Sequence, residues 1–313
     1  MSLQFFTKER NPRILIFAVL SLLIAAHITS FLVWNKSFDH DDFLFQTQIQ
    51  KLKKKTTPVT TVIVGDSAAG LALSAETFSI LSGQPTLNVS LTRLNGFASS
   101  LMMIKQTQAY HPEIKNVLIV QSLDIWNLPF SREWYYRTEK GISTDEIGSH
   151  FFPTYKWLDR IAYHADFKWI YRYIKFLIKK PNFAIENDYI KMDLTKTYHN
   201  GGLLMPPIGL PVSTLDTTVK DGYQLLDNYC AKEHLNCIYV SAPLHRTTYQ
   251  NTDPKTFSMI YDFLLTANAI KVIPTIFDEP NIYMLDSLSH LHPDYRTKVT
   301  DQYYNAVKTL LVQ

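Results

Sequence analysis

From Thr60 onward the chain alternates short β-branched apolar runs with longer stretches in which apolar residues recur every three or four positions. The short runs predict strands at Thr61–Val64, Thr86–Ser90, Asn116–Ser122, Cys237–Ser241 and Ile282–Leu285. The longer ones predict helices near Ala68–Leu81, Ala98–Ala109, Thr217–Glu233, Lys255–Ala269 and Pro293–Val312. That order, βαβαβ, then a large insertion, then αβαβα, is expected of an α/β domain with a mostly parallel sheet. The insertion spans about 127–216 and is the least regular part of the chain.

A different pattern precedes this domain. Ile14 to Trp34 is continuously apolar, without Asp, Glu, Lys or Arg, and as a helix is long enough to cross a hydrocarbon core of roughly 30 Å. It predicts a transmembrane helix. A cleaved signal peptide is the rival, but Phe31, Leu32, Val33 and Trp34 continue past the small residues Ala25 and Ala26, where cleavage would fall. Lys8, Arg10 and Arg13 precede the span and Asp39, Asp41 and Asp42 follow it. The positive-inside bias therefore places residues 1–13 in the cytoplasm and the main domain on the outer side of the cytoplasmic membrane. Residues 35–59, polar with a lysine run at Lys51–Lys55, are expected to form a juxtamembrane stalk or short helix, and 60–313 the domain.

Composition narrows the function classes. An apolar share of 46% across 313 residues is ordinary for a packed core. Most of the net charge of +3 lies ahead of the apolar span, so no strongly basic domain remains and nucleic acid is not an expected partner. Cys230 and Cys237 fall where a helix gives way to a strand; in an oxidising compartment they can bridge, the alternative being two separate buried thiols. Neither CxxC nor HExxH spacing occurs, and neither metal nor cofactor is expected.

Within the insertion, Phe167–Lys180 places Lys168, Arg172, Lys175 and Lys179 on one face of a helix and aromatic and aliphatic residues on the rest. Either it is a core helix with one solvated stripe, or a surface helix that rests on a membrane or receives an anionic group. Trp134, Tyr135 and Tyr136 offer a sugar-stacking platform or ordinary packing of a cap.

The sharpest chemistry lies in TTVIVGDSAAGLALS, residues 60–74. A strand ends at Gly65-Asp66-Ser67 and a small-residue helix follows, which puts Ser67 at the carboxyl end of a strand, where open α/β sheets keep their ligands. Helix N-terminal amides there would stabilise developing negative charge. A serine nucleophile needs a base, and Asp286-Ser-Leu-Ser-His290-Leu-His292-Pro293 supplies one: His290, with His292 as substitute and Asp286 as the acid that orients it. Asp66, Asp124, His245 and His292 are candidates for substrate contact, and Trp126 for lining the cleft.

These blocks resemble the SGNH/GDSL hydrolase superfamily: Gly65-Asp66-Ser67 matches its first block and the Asp286–Pro293 region its last. The resemblance implies a three-layer α/β/α, flavodoxin-like domain, and an oxyanion hole completed by Gly96, with Asn95 beside it. Two departures stand out. Asp286 lies four residues before His290 where the family has three, and after the third strand Gln121-Ser-Leu-Asp124 replaces Gly-x-Asn-Asp. Together with the apolar span, these make the chain more similar to extracytoplasmic SGNH proteins of alginate O-acetylation and teichoic-acid D-alanylation. That similarity implies acyl transfer to a cell-surface glycan or polyol hydroxyl, with the acyl group delivered by a membrane-bound O-acyltransferase. An esterase on the same polymers, or a non-catalytic scaffold subunit, are the alternatives.

Overall fold

The computed structural model describes residues 12–34, 40–93, 96–130, 168–179, 183–186, 189–192, 208–285 and 287–312. In chain order the elements begin with helices α1 (Pro12–Trp34) and α2 (His40–Lys54), strand β1 (Thr61–Gly65), helices α3 (Ser67–Ala72) and α4 (Ala75–Ser82), strand β2 (Thr86–Asn88), helix α5 (Gly96–Tyr110) and strand β3 (Asn116–Gln121). They continue with α6 (Lys168–Lys179), β4 (Phe183–Glu186), β5 (Tyr189–Met192), α7 (Thr217–Lys232), β6 (Asn236–Ser241), β7 (Leu244–His245), α8 (Arg246–Asn251), α9 (Pro254–Leu264), β8 (Lys271–Ile273), β9 (Asp278–Glu279) and α10 (Arg296–Val307).

Five strands form one parallel sheet in the order β2-β1-β3-β6-β8. The chain steps from β1 to β2 on one side and then to β3 on the other, so the strand order reverses beside β1, and there the carboxyl ends open a crevice. Side chains alternate across the sheet. Ile63, Leu118, Val120, Ile238 and Val240 join Phe78, Val299, Tyr303 and Val307 in one core layer with α3, α4 and α10. On the other face α5 packs with α7, and Phe97, Trp126, Tyr223 and Tyr239 form a contiguous aromatic cluster. Burying each such side chain contributes about 1.5–3 kcal/mol, and helices on both faces explain why Val62–Val64 of β1 and Val117–Val120 of β3 are continuously apolar rather than alternating. The α/β class and the mostly parallel sheet agree with the sequence expectation.

Two elements differ from it. The fifth sheet strand is Lys271–Ile273, not Ile282–Leu285; Asn281–Tyr283 forms a 3-10 turn after Pro280, and Met284 makes only an isolated antiparallel bridge to Leu291. The helix expected over Ala68–Leu81 is two helices. Ser74 caps α4 by accepting from the Thr77 amide at 3.2 Å, while Arg296 and the Asn88 side-chain amide donate to the carbonyls of Gly70, Ala69 and Leu73 at the end of α3. Lastly, the stretch expected as a juxtamembrane stalk or short helix forms the helix α2, packed in the body of the domain. Leu44, Phe45 and Leu52 are buried, the helix lies on α5, and Gln48 and Lys51 donate to the carbonyls of Ser90 and Asn88.

Residues 40–151 with 182–313 form one compact unit, and 1–39 with 152–181 another. In the first, the chain leaves for its insertion after Asn127 and returns at Asp216, whose amide donates to the Trp126 carbonyl at 2.7 Å; β4 and β5 pair as an antiparallel hairpin. Cys230 and Cys237, both fully buried, are joined by a disulfide that closes the turn between α7 and β6, which resolves the two sequence alternatives. In the second unit α1 packs with α6, and Ser30 and Trp169 are fully buried. Among the described residues no helix is long and apolar enough to cross a membrane. Membrane insertion of 14–34 therefore rests on the sequence.

Candidate active site

Gly65 ends β1 and could not be another residue. Its φ of +155° is a conformation L side chains rarely adopt, and a Cβ there would sit 1.7 Å from the Val120 carbonyl oxygen of the neighbouring strand. The tight approach of β1 to β3 lets the next residue, Asp66, turn inward. Asp66 is buried; it caps α3 by accepting from the Ala68 amide at 2.9 Å, and its other oxygen accepts from both the amide and the hydroxyl of Ser122. Burial pushes its carboxyl above the usual range, against the lowering effect of these donors, and Asp124 nearby raises it further. Asp66 is thus the joint between the ends of β1 and β3, and its buried carboxyl is closed to substrate.

That joint presents Ser67, the first residue of α3 and only partly buried. Its Oγ lies 2.8 Å from His290 Nε2, across 223 residues of sequence. With the imidazole neutral and its proton on Nδ1, the serine hydroxyl donates to Nε2, which is the geometry a general base needs to take the proton as Oγ attacks.

His290 is held by its loop rather than by a strand end. The Leu285 amide donates to the His290 carbonyl, the His292 amide to the Tyr283 carbonyl, and the His245 amide to the Leu288 carbonyl, at 2.8, 2.7 and 2.8 Å. The His290 amide itself donates to Ser287 Oγ at 3.1 Å. Ser287, three residues before His290, serves here as a backbone clasp. Asp286 and Asn95 lie outside the described residues, as do Trp134, Tyr135 and Tyr136.

The remaining candidates separate by what they touch. His292 caps the turn at Pro293–Tyr295, its Nδ1 accepting from the Asp294 amide, so of the two histidines His290 is the one at Ser67. His245 is buried and caps α8 through Nδ1, accepting from the Thr247 amide at 3.1 Å. Burial pushes its pKa down, and in these contacts it makes a loop hydrogen bond. Trp126 is fully buried in the aromatic cluster and does not line a cleft. Asp124, on the turn after β3, accepts from Arg93 Nη1 at 2.7 Å. That pair spans the loops following β2 and β3.

Gly96, the expected oxyanion donor, opens α5 with φ +44°. Its carbonyl accepts from Gln121 Nε2 at 3.3 Å, and the same amide nitrogen donates to Ser100 Oγ at 2.9 Å. Gln121, the last residue of β3, ties down the start of α5 through its side-chain amide, and Ser122 supplies the bond to Asp66. The visible signal was a polar pair closing the apolar run NVLIVQS. Among the described residues no cluster of His, Cys, Asp and Glu could hold a metal ion.

Asp66→Asn tests the joint. Asparagine offers one oxygen where the carboxylate meets three donors, leaving buried N–H or O–H groups unpaired, and is expected to lower stability by about 2 kcal/mol in urea denaturation. An unchanged midpoint would show that the Ser122 contacts do not hold the site. No family model matches the chain, and no curated protein is matched by its sequence.

Proposed function

We propose that the chain is an extracytoplasmic, SGNH-type serine-dependent O-acyltransferase that acts on a cell-envelope polysaccharide, anchored in the cytoplasmic membrane by 14–34 with its N-terminus inside. The observation that carries the catalytic part is the 2.8 Å contact between Ser67 Oγ and His290 Nε2. A scaffold would have no need of a partly exposed serine aligned on an imidazole at the carboxyl rim of the sheet. The exposed Ile16, Phe17, Leu22, Leu23, Ile24 and Ile28 along α1 support the anchor, since they face every side of the helix and a lipid environment would cover them.

In the proposed reaction Ser67 Oγ attacks the carbonyl carbon of an acyl donor while His290 Nε2 takes its proton. The tetrahedral oxyanion is held by the Ser67 and Gly96 amides. Collapse breaks the bond to the donor's leaving group, which receives the proton from His290, and leaves an ester on Ser67. A glycan or polyol hydroxyl then attacks that ester, giving its proton to His290, and Ser67 leaves with the proton returned. Asp286 is the acid proposed to orient His290, and a membrane-bound O-acyltransferase is the proposed source of the acyl group. Hydrolysis is the same sequence with water as acceptor.

The test is covalent labelling of the full-length protein by a fluorescent fluorophosphonate, compared with Ser67→Ala. Labelling confined to the protein with Ser67 is expected. Equal labelling of both, or none of a folded protein, would remove the catalytic reading. Polymer from cells carrying Ser67→Ala should then have fewer acyl groups for a transferase and more for an esterase.

A further inference from the structure

The helix α6 plays no part in the chemistry proposed above, and its surface has three sectors. On a projection of about 3.6 residues per turn, Trp169 and Tyr173 share one side; Trp169 is fully buried and α6 packs with α1. A second side carries Tyr171, Ile174, Leu177 and Ile178, between 49% and 76% exposed. The third carries Arg172 and the exposed Lys175, with the Arg172 guanidinium 5.2 Å from the Trp169 ring centroid. A core helix with one solvated stripe would bury its second side as well as its first. Here an exposed apolar face lies directly beside a basic one, on a helix packed with an apolar helix whose residues 16–25 are exposed.

We propose that α6 is an in-plane interfacial helix that binds an anionic lipid bilayer, with Ile174, Leu177 and Ile178 among the acyl chains and its basic side against headgroup phosphates. The inference rests on the membrane anchoring by α1 and adds a second, charge-selective membrane element to it. Burial of an exposed apolar face is favourable in proportion to its area, and each base near an anionic surface adds to the attraction. The complementarity of the two sides to the two layers of a leaflet selects a lipid surface over a protein groove, which would have to match both at once.

The disulfide joins both cysteines of the chain, so one introduced thiol can be labelled alone. The full-length Ile178→Cys protein would carry an environment-sensitive fluorophore, in nanodiscs of phosphatidylcholine and in nanodiscs that also contain phosphatidylglycerol. A second protein would be labelled at Phe17→Cys. With phosphatidylglycerol, the label at 178 is expected to show blue-shifted emission and protection from aqueous acrylamide. Lys175→Gln is expected to reduce the embedded fraction relative to the exposed one by about fivefold. A protected label at 17 with a water-exposed label at 178 in both lipid mixtures would overturn the inference and keep the anchor. Exposure of both labels would overturn the anchor and the inference with it. Protection at 178 that ignores both phosphatidylglycerol and Lys175→Gln would overturn the binding of anionic headgroups.

Discussion

Replacement of His290 by alanine is expected to slow acylation of Ser67 by about a thousandfold, read as the rate at which fluorophosphonate label accumulates on the full-length protein. Among the described contacts the Ser67 hydroxyl pairs with His290 Nε2, at 2.8 Å, and without that base its nucleophilicity falls to that of an ordinary alcohol. The comparison with His292→Ala makes the result specific. His292 caps a 3-10 turn through Nδ1, so its loss should lower stability by about 1 kcal/mol and leave the labelling rate within a few-fold of the parent. Equal slowing by the two substitutions would mean that the loop, not the imidazole at Ser67, controls reactivity. In that case the assignment of His290 as base would be withdrawn.

The second large effect is expected at Gly65. Gly65→Ala would bring a Cβ within 1.7 Å of the Val120 carbonyl oxygen and hold an L side chain at φ +155°. Both strands lie in the middle of the sheet, where neither can retreat without breaking its ladder. A loss of about 4 kcal/mol or more is expected, seen as failure to fold or as a large drop in the urea midpoint. Survival of the variant with an unchanged midpoint would show that β1 and β3 can separate at their carboxyl ends. It would also remove the close approach that aims Asp66 at Ser122.

These two positions sit at opposite ends of one chain of contacts. Gly65 permits the approach of β1 to β3, Asp66 fastens the two strand ends through Ser122, and Ser67 follows at the start of α3. From β3 the contacts continue through Gln121 to Gly96 at the start of α5. The nucleophile and the expected oxyanion donor are therefore both referred to the end of β3, which makes the spacing between them a property of the sheet rather than of a loop.

Much of this was legible from the residue pattern because it depends on local periodicity. The apolar runs within Thr61–Val64 and Asn116–Ser122 are what a strand covered on both faces must be, and Ser67, which follows the first run after a glycine and a capping aspartate, is placed on the carboxyl rim by the residue pattern itself. What tertiary structure alone decided are contacts between distant segments. His290 reaches Ser67 from a loop pinned by Tyr283, Leu285 and His245, not from the end of a strand, and the edge strand Lys271–Ile273 was too short to leave a periodic signal. The helix after Ser67 is broken where Ser74 caps α4, and the carbonyls at the end of α3 are met by Arg296 and Asn88, partners that only the tertiary structure brings there. Local sequence sets the preference of each segment; the hydrogen-bond partners that arrive from hundreds of residues away decide where that preference ends and which of two neighbouring histidines meets the nucleophile.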